Sequence, residues 1–177
     1  RRLATGRRPL RMAVNVSPIQ FRHPDFVAMV GRALGVAGAA PGGLEIEITE
    51  SAALHGWGQT IERIEALRAL GVSVAIDDFG TGYSSLSYLD RLPADSLKID
   101  RSFIRALDDP QAAAPIAETV IALGRQLGMR VLAEGVETET QRARLAALGC
   151  HEGQGWLFAR AMPEEELAAW LQAQDAG

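Results

Sequence analysis

The chain has one cysteine and one lysine among 177 residues. Cys150 has no partner for an internal disulfide, which fits a reducing, cytoplasmic setting. Lys and Arg together number 18, and 17 of them are arginines. Lys98 therefore marks a position where Arg would not serve, being too bulky, too planar or unable to lose its proton. There is no excess of positive charge, since the net charge is −4. That removes the global basic footprint of a protein that binds nucleic-acid polymers. The basic residues Arg1, Arg2, Arg7, Arg8 and Arg11 form a local, solvated run. No apolar run reaches the about 18 residues of a membrane span. No Gly-x-Gly-x-x-Gly follows an early strand. His23, His55 and His151 show no metal-ligand spacing such as His-Glu-x-x-His, so no chemistry is assigned to them.

What is present is a repeated alternation. With 47% hydrophobic residues the chain can bury one substantial core, so residues 1–177 read as a single domain. Six extended apolar runs each lead into a helical pattern: Met12–Val16, Leu44–Ile48, Val72–Ile76, Ser96–Asp100, Met129–Ala133 and Gly153–Phe158. The helical stretches that follow are Asp25–Leu34, Thr60–Leu70, a turn and short helix over Gly82–Leu92, Ala112–Leu127, Thr138–Leu148 and Pro163–Leu171. Gly71 is placed to end the second of these. Such alternation predicts parallel strands joined by crossover helices. Polar residues stand at the end of nearly every run: Asn15, Glu47, Asp77, Asp78, Lys98, Glu134 and Gln154. One polar group per strand end is how a (β/α) barrel builds its active site. The expected fold class is α/β, a modified TIM barrel with about six of its eight strand units. The missing units and the opening on Arg1 predict a domain truncated at its N-terminus.

The run Val72-Ser73-Val74-Ala75-Ile76 delivers Asp77 and Asp78 into the turn Phe79-Gly80-Thr81-Gly82. Adjacent carboxylates at the end of a buried strand repel each other and are poorly solvated, which a divalent cation relieves. Capping of the next helix by one of the two is the simpler alternative. Strand parity turns Asn15, Glu45, Glu47 and Lys98 inward. Glu47, Asp77, Asp78 and Glu134 supply four carboxylates, with Asn15 and Gln154 as neutral donors, enough for two divalent ions. Two such ions suit in-line phosphoryl displacement, so metal-assisted phosphodiester hydrolysis is the favoured class. A phosphatase or an enolising enzyme with one metal would use similar residues. Glu50 is expected to cap a turn or to hold the Asp78 loop. Trp57 and Trp170 read as packing residues.

The ordered segments Asn15-Val16-Ser17, Glu47-Ile48-Thr49-Glu50-Ser51, Asp77-Asp78-Phe79-Gly80-Thr81-Gly82-Tyr83-Ser84-Ser85-Leu86, Lys98-Ile99-Asp100, Glu134-Gly135-Val136-Glu137 and Gln154-Gly155-Trp156-Leu157-Phe158 resemble the signatures of the EAL domain. That family comprises cyclic-di-GMP phosphodiesterases of bacterial signalling proteins. The resemblance implies hydrolysis of cyclic di-GMP to linear pGpG with two Mg²⁺ or Mn²⁺ ions per site. It implies metal ligands at Asn15, Glu47, Asp77 and Asp78, with Asp77 bridging, and Lys98 contacting the attacking water. It further implies Glu134 as an acid beside that water, Gln154 as a site-lining group and Glu50 as anchor of the loop after Asp78. A homodimer through that loop, and an upstream sensor or diguanylate-cyclase-like (GGDEF-type) domain, are the implied partners. Trp156 stands where the family usually has Tyr, and Ala161 where it often has Pro. The Glu-Ala-Leu segment itself, with one more metal-binding glutamate, is absent from this sequence. The competing expectation is a degenerate or truncated EAL domain that only senses cyclic di-GMP or docks a protein.

Overall fold

The computed structural model describes residues 10–38, 42–81, 89–109 and 114–174. Within them the order is β1 (Met12–Asn15), α1 (Pro18–Arg22), α2 (Phe26–Ala37), β2 (Leu44–Thr49), α3 (Glu50–Leu54), α4 (Trp57–Ala69), β3 (Ser73–Phe79) and β4 (Ser96–Ile99). It continues with α5 (Arg101–Arg105), a 3-10 turn (Ala106–Asp108), α6 (Pro115–Gln126), β5 (Arg130–Ala133), α7 (Glu139–Ala147), β6 (Glu152–Gly153) and α8 (Glu164–Gln174). All strand pairs are parallel, and their order in the sheet is their order in the chain. A doubly wound sheet reverses its strand order at a switch point, and this sheet does not.

The sheet curls. Arg11, adjoining β1, donates to the Glu152 carboxylate on β6 at 2.8 Å. Five strand spacings in a flat sheet would hold those strands about 24 Å apart. The six strands therefore form a partial (β/α) barrel with a concave inner face. Ile46, Ile48, Val74, Ile76, Leu97, Ile99, Val131 and Ala133 alternate along β2 to β5 and are buried in the hydrophobic core. The residues between them, Glu45, Glu47, Ala75, Asp77, Ser96, Lys98 and Arg130, fall on the inner face by the same alternation.

Helix starts follow the strand ends closely. Ser17, Thr49, Asp100 and Thr138 are the N-caps of α1, α3, α5 and α7, accepting from the backbone N–H of Gln20, Ala52, Ser102 and Gln141. Such caps satisfy donors that the first helical turn leaves free. On three strands the cap lies two residues beyond an inward polar residue: Asn15 and Ser17, Glu47 and Thr49, Lys98 and Asp100. The polar group ends the apolar strand on the inner face, and the cap starts the helix that returns over the outer face.

The structure moves several expected boundaries. The third strand continues to Phe79 because Phe79 still pairs with Ile99, across a register shift after Ile76. The sixth strand is only Glu152–Gly153. Beyond it Gly155 lies so near Val136 that a Cβ would meet its backbone N and O at 2.3 Å. The chain then turns, with Phe158 N–H donating to the Gly155 carbonyl at 3.1 Å. Three short helices, α1, α3 and α5, were not foreseen. Much of the expected Gly82–Leu92 turn and helix, including Tyr83-Ser84-Ser85-Leu86, lies outside the described residues, as do Arg1, Arg2, Arg7 and Arg8.

Candidate active site

The lone lysine is the centre of the site. Lys98 is 3% exposed, and its Nζ lies 2.7 Å from Glu47 Oε2, 3.0 Å from Asp77 Oδ1 and 2.6 Å from Glu134 Oε1. Three carboxylates from three other segments thus converge on one ammonium at the C-terminal ends of β2, β3 and β5. Burial alone would lower the Lys98 pKa, but the hydrogen bonds to Glu134, Glu47 and Asp77 hold it above its ordinary value. The group stays fully charged at neutral pH.

Asp78 sits beside this centre in an uncommon backbone state. Its φ is 54°, the one positive value among the described non-glycine residues. The register shift in β3 explains it: the residue is the extra one of a bulge, and a short polar side chain tolerates the left-handed region better than most. Asp77 Oδ1 accepts the Asp78 backbone N–H at 3.0 Å. The carboxylate oxygens of Asp77, Asp78 and Glu134 come within 4.8 Å of one another. Burial first, then the charges of Asp77 and Asp100, raise the Asp78 pKa against an opposing pull from Lys98. Burial likewise raises that of Glu134, opposed by its hydrogen bond to Lys98.

The other expected residues take definite places. Gln154 Nε2 donates to Glu134 Oε1 at 2.9 Å, fixing the face that Glu134 shows to Lys98. Asn15 is the register partner of Glu47 on the neighbouring strand and is exposed. Glu50, in the first turn of α3, is buried and accepts the Gly80 backbone N–H at 3.3 Å. It therefore touches the segment after Asp78 without reaching the lysine.

Four carboxylates around one ammonium leave a net charge of −3 when all are ionised. Like charges this close are tolerated only with compensation, and an all-oxygen donor set matches hard divalent cations. The residues present thus fit a divalent metal, which Asp77, Asp78 and Glu134 could hold. A cavity of about 770 Å³ opens at the opposite ends of the strands, lined by Arg11, Arg68, Asp95 and Arg130. Its arginines Arg11, Arg68 and Arg130 are paired with Glu45, Glu152 and Asp95.

The sequence model of the EAL domain matches residues 1–161. The chain belongs to the EAL domain family. Its relatives include the bifunctional diguanylate cyclase/cyclic di-GMP phosphodiesterase MucR of Pseudomonas aeruginosa, 47% identical over 93% of this chain and 24% of MucR. The cyclic di-GMP phosphodiesterase NbdA of the same organism is 47% identical over 95% of this chain and 22% of its own length. The chain thus spans about a quarter of each of these multidomain relatives. Among solved structures, the MucR phosphodiesterase in complex with c-di-GMP aligns with TM-score 0.83 and 48% identity over 89% of this chain and 64% of that one. A manganese and c-di-GMP complex of Klebsiella pneumoniae BlrP1 aligns with TM-score 0.74 and 36% identity over 85% of this chain and 38% of that one. EAL domains are TIM-barrel-like, in keeping with the curled parallel sheet. Among the described residues no helix is long and apolar enough to cross a membrane.

Proposed function

We propose that this EAL domain hydrolyses cyclic di-GMP to linear pGpG, and that its place is the bacterial cytoplasm. The observation that carries the reading is the Lys98 ammonium held among Glu47, Asp77 and Glu134, beside Asp78. Asn15, Glu47, Asp77 and Asp78 would hold Mg²⁺ or Mn²⁺, two ions per site. Such ions supply Lewis acidity toward a phosphoryl oxygen and lower the pKa of water.

The chain's own groups divide the remaining work. Lys98, kept charged by its carboxylates, donates a hydrogen bond that orients the attacking water. Glu134, whose pKa burial raises, takes the proton that this water gives up as it attacks phosphorus. Gln154 keeps Glu134 turned toward Lys98. The P–O3′ bond breaks, the 3′ oxygen leaves as a hydroxyl after protonation from solvent, and the 5′ phosphate stays on pGpG. Glu50 anchors the segment after Asp78, through which a homodimer forms.

Chromatography of cyclic di-GMP incubated with the protein and Mn²⁺ tests this. A pGpG peak that grows with time and vanishes with EDTA is the expected result. Binding of cyclic di-GMP without any pGpG in saturating Mn²⁺ would replace catalysis with a sensing role.

A further inference from the structure

The two segments that bring Lys98 and Glu134 together are fastened to each other away from the reacting groups. After Glu134, Gly135 has φ 66° and packs on α5 so closely that a Cβ would lie 2.6 Å from Arg101 Cβ. At the other end of the same stretch stands Gln141, 1% exposed, in the first turn of α7. Its Oε1 accepts the backbone N–H of Glu137 at 2.6 Å and of Thr138 at 3.2 Å. Its Nε2 donates to Asp108 Oδ2 at 2.9 Å, and Thr138 Oγ1 donates to Asp108 Oδ1 at 2.7 Å. Asp108 closes the 3-10 turn that follows α5.

The choice of amide is informative. A capping box needs only an acceptor at this position, and Glu or Gln serves equally well. What Gln adds is an N–H directed at a carboxylate on another segment, which Glu would repel. We propose that Gln141 is a positioning residue: with Asp108 it straps the β5–α7 loop to the β4–α5 segment and so sets Glu134 against Lys98. The inference deepens the hydrolytic reading, since it names what holds the proton acceptor of that reaction in register.

The single lysine gives a direct probe, because uniform ¹⁵N-lysine labelling yields one ammonium signal, that of Lys98. In Gln141→Glu the hydrogen-exchange rate of this ammonium is expected to rise about tenfold, neighbouring groups coupling by energies of that order. In Asp108→Asn/Gln141→Glu the donor and acceptor exchange places, and the signal is expected to return to that of the parent. Asp108→Ala, which leaves the buried amide in place, covers the case in which Gln141→Glu does not fold. An unchanged Lys98 signal in the folded single variants, or no rescue in the double variant, overturns the inference and leaves Gln141 a helix cap only. In the hydrolysis assay Gln141→Glu is expected to lower kcat about tenfold with KM within about twofold, a small misplacement acting on the chemical step. A parent protein that releases no pGpG would defeat the hydrolytic reading, while the ammonium spectrum would still decide the strap.

Discussion

The inner face of the sheet carries two ionic clusters, one at each end of the strands, and they differ in charge balance. At the N-terminal ends, Arg11 and Arg130 meet Glu45 and Glu152 at 2.8–3.5 Å, two charges of each sign, with Ser96 Oγ donating to Glu45 at 3.1 Å. At the C-terminal ends four carboxylates share one ammonium. Both contain buried glutamates from β2, Glu45 and Glu47, only two residues apart. The balanced cluster neutralises itself and ties β1, β2, β5 and β6 into a curl. The unbalanced one keeps an excess of negative charge that a further cation would relieve. Under the proposed function, stability and catalysis occupy opposite ends of the same strands, the division that barrel folds generally show.

The sharpest way to break this contrast is at Lys98. Lys98→Arg is expected to keep the fold, as judged by circular dichroism, and to lower the rate of pGpG release by about 10²-fold or more, the order of loss that misplacing the attacking water brings. A planar fork cannot present a compact ammonium to three carboxylates at once. Near-parental turnover would make the lone lysine a compositional accident.

The next test asks whether only the unbalanced end takes up a cation. Mn²⁺ at 100 times its Kd should stabilise the parent protein by about 2.7 kcal/mol. For a domain of this size that is a rise in Tm of roughly 5–10 °C. Asp77→Asn should abolish the rise, and Glu45→Gln should leave it intact. An equal rise in all three would place the ion elsewhere.

Glu45→Gln also probes the balanced end by itself. It keeps the shape and leaves two arginines facing one carboxylate, which should cost about 1.5–3 kcal/mol in urea denaturation. Turnover per folded molecule should not change, because Glu45 touches no group of the upper cluster.

Much of this contrast was legible in the sequence, and what was not has identifiable causes. Parity within Leu44–Thr49 and Ser96–Ile99 places Glu47 and Lys98 on the inner face, and six parallel strand units follow from the alternation of patterns. The convergence of Glu47, Asp77 and Glu134 on Lys98 spans 87 residues of chain between Glu47 and Glu134 and depends on strand stagger, which periodicity does not specify. Asp77 and Asp78 looked like turn residues because adjacent acids seldom continue a strand. Asp77 stays in the ladder opposite Thr49, and the register shift leaves Asp78 unpaired with its carboxylate still near that of Asp77. Helix α5 follows Ile99 without a loop, and its five residues are too short for a 3.6-residue period to show. Gln141 was missed although Thr138-x-x-Gln141 is a capping-box pattern, because its partner Asp108 lies 33 residues upstream.

The smallest expected effect separates the two ends by pH in the absence of divalent ions. Asp78 and Glu134 both bind a proton more tightly in the folded chain than their ordinary values of 3.8 and 4.5 imply. For a carboxyl raised in this way the folded state holds more protons than the unfolded one between the two pKa values. Its ionisation therefore weakens the fold as pH rises through that window, and the weakening persists above it. Lys98 adds no slope there, since its raised pKa keeps it protonated until well above neutrality, and its contribution disappears only at alkaline pH. In EDTA the urea midpoint should accordingly rise slightly, relative to a protein without these shifts, as pH is lowered toward the ordinary carboxylate range. Asp78→Asn should flatten that slope, whereas Glu45→Gln should not. Saturating Mn²⁺ should reverse its sign, because acid then competes with the ion for the same oxygens. An Asp78→Asn variant whose pH slope without metal matches that of the parent would mean that the upper carboxylates are already neutralised within the protein, and the contrast between the two ends would collapse.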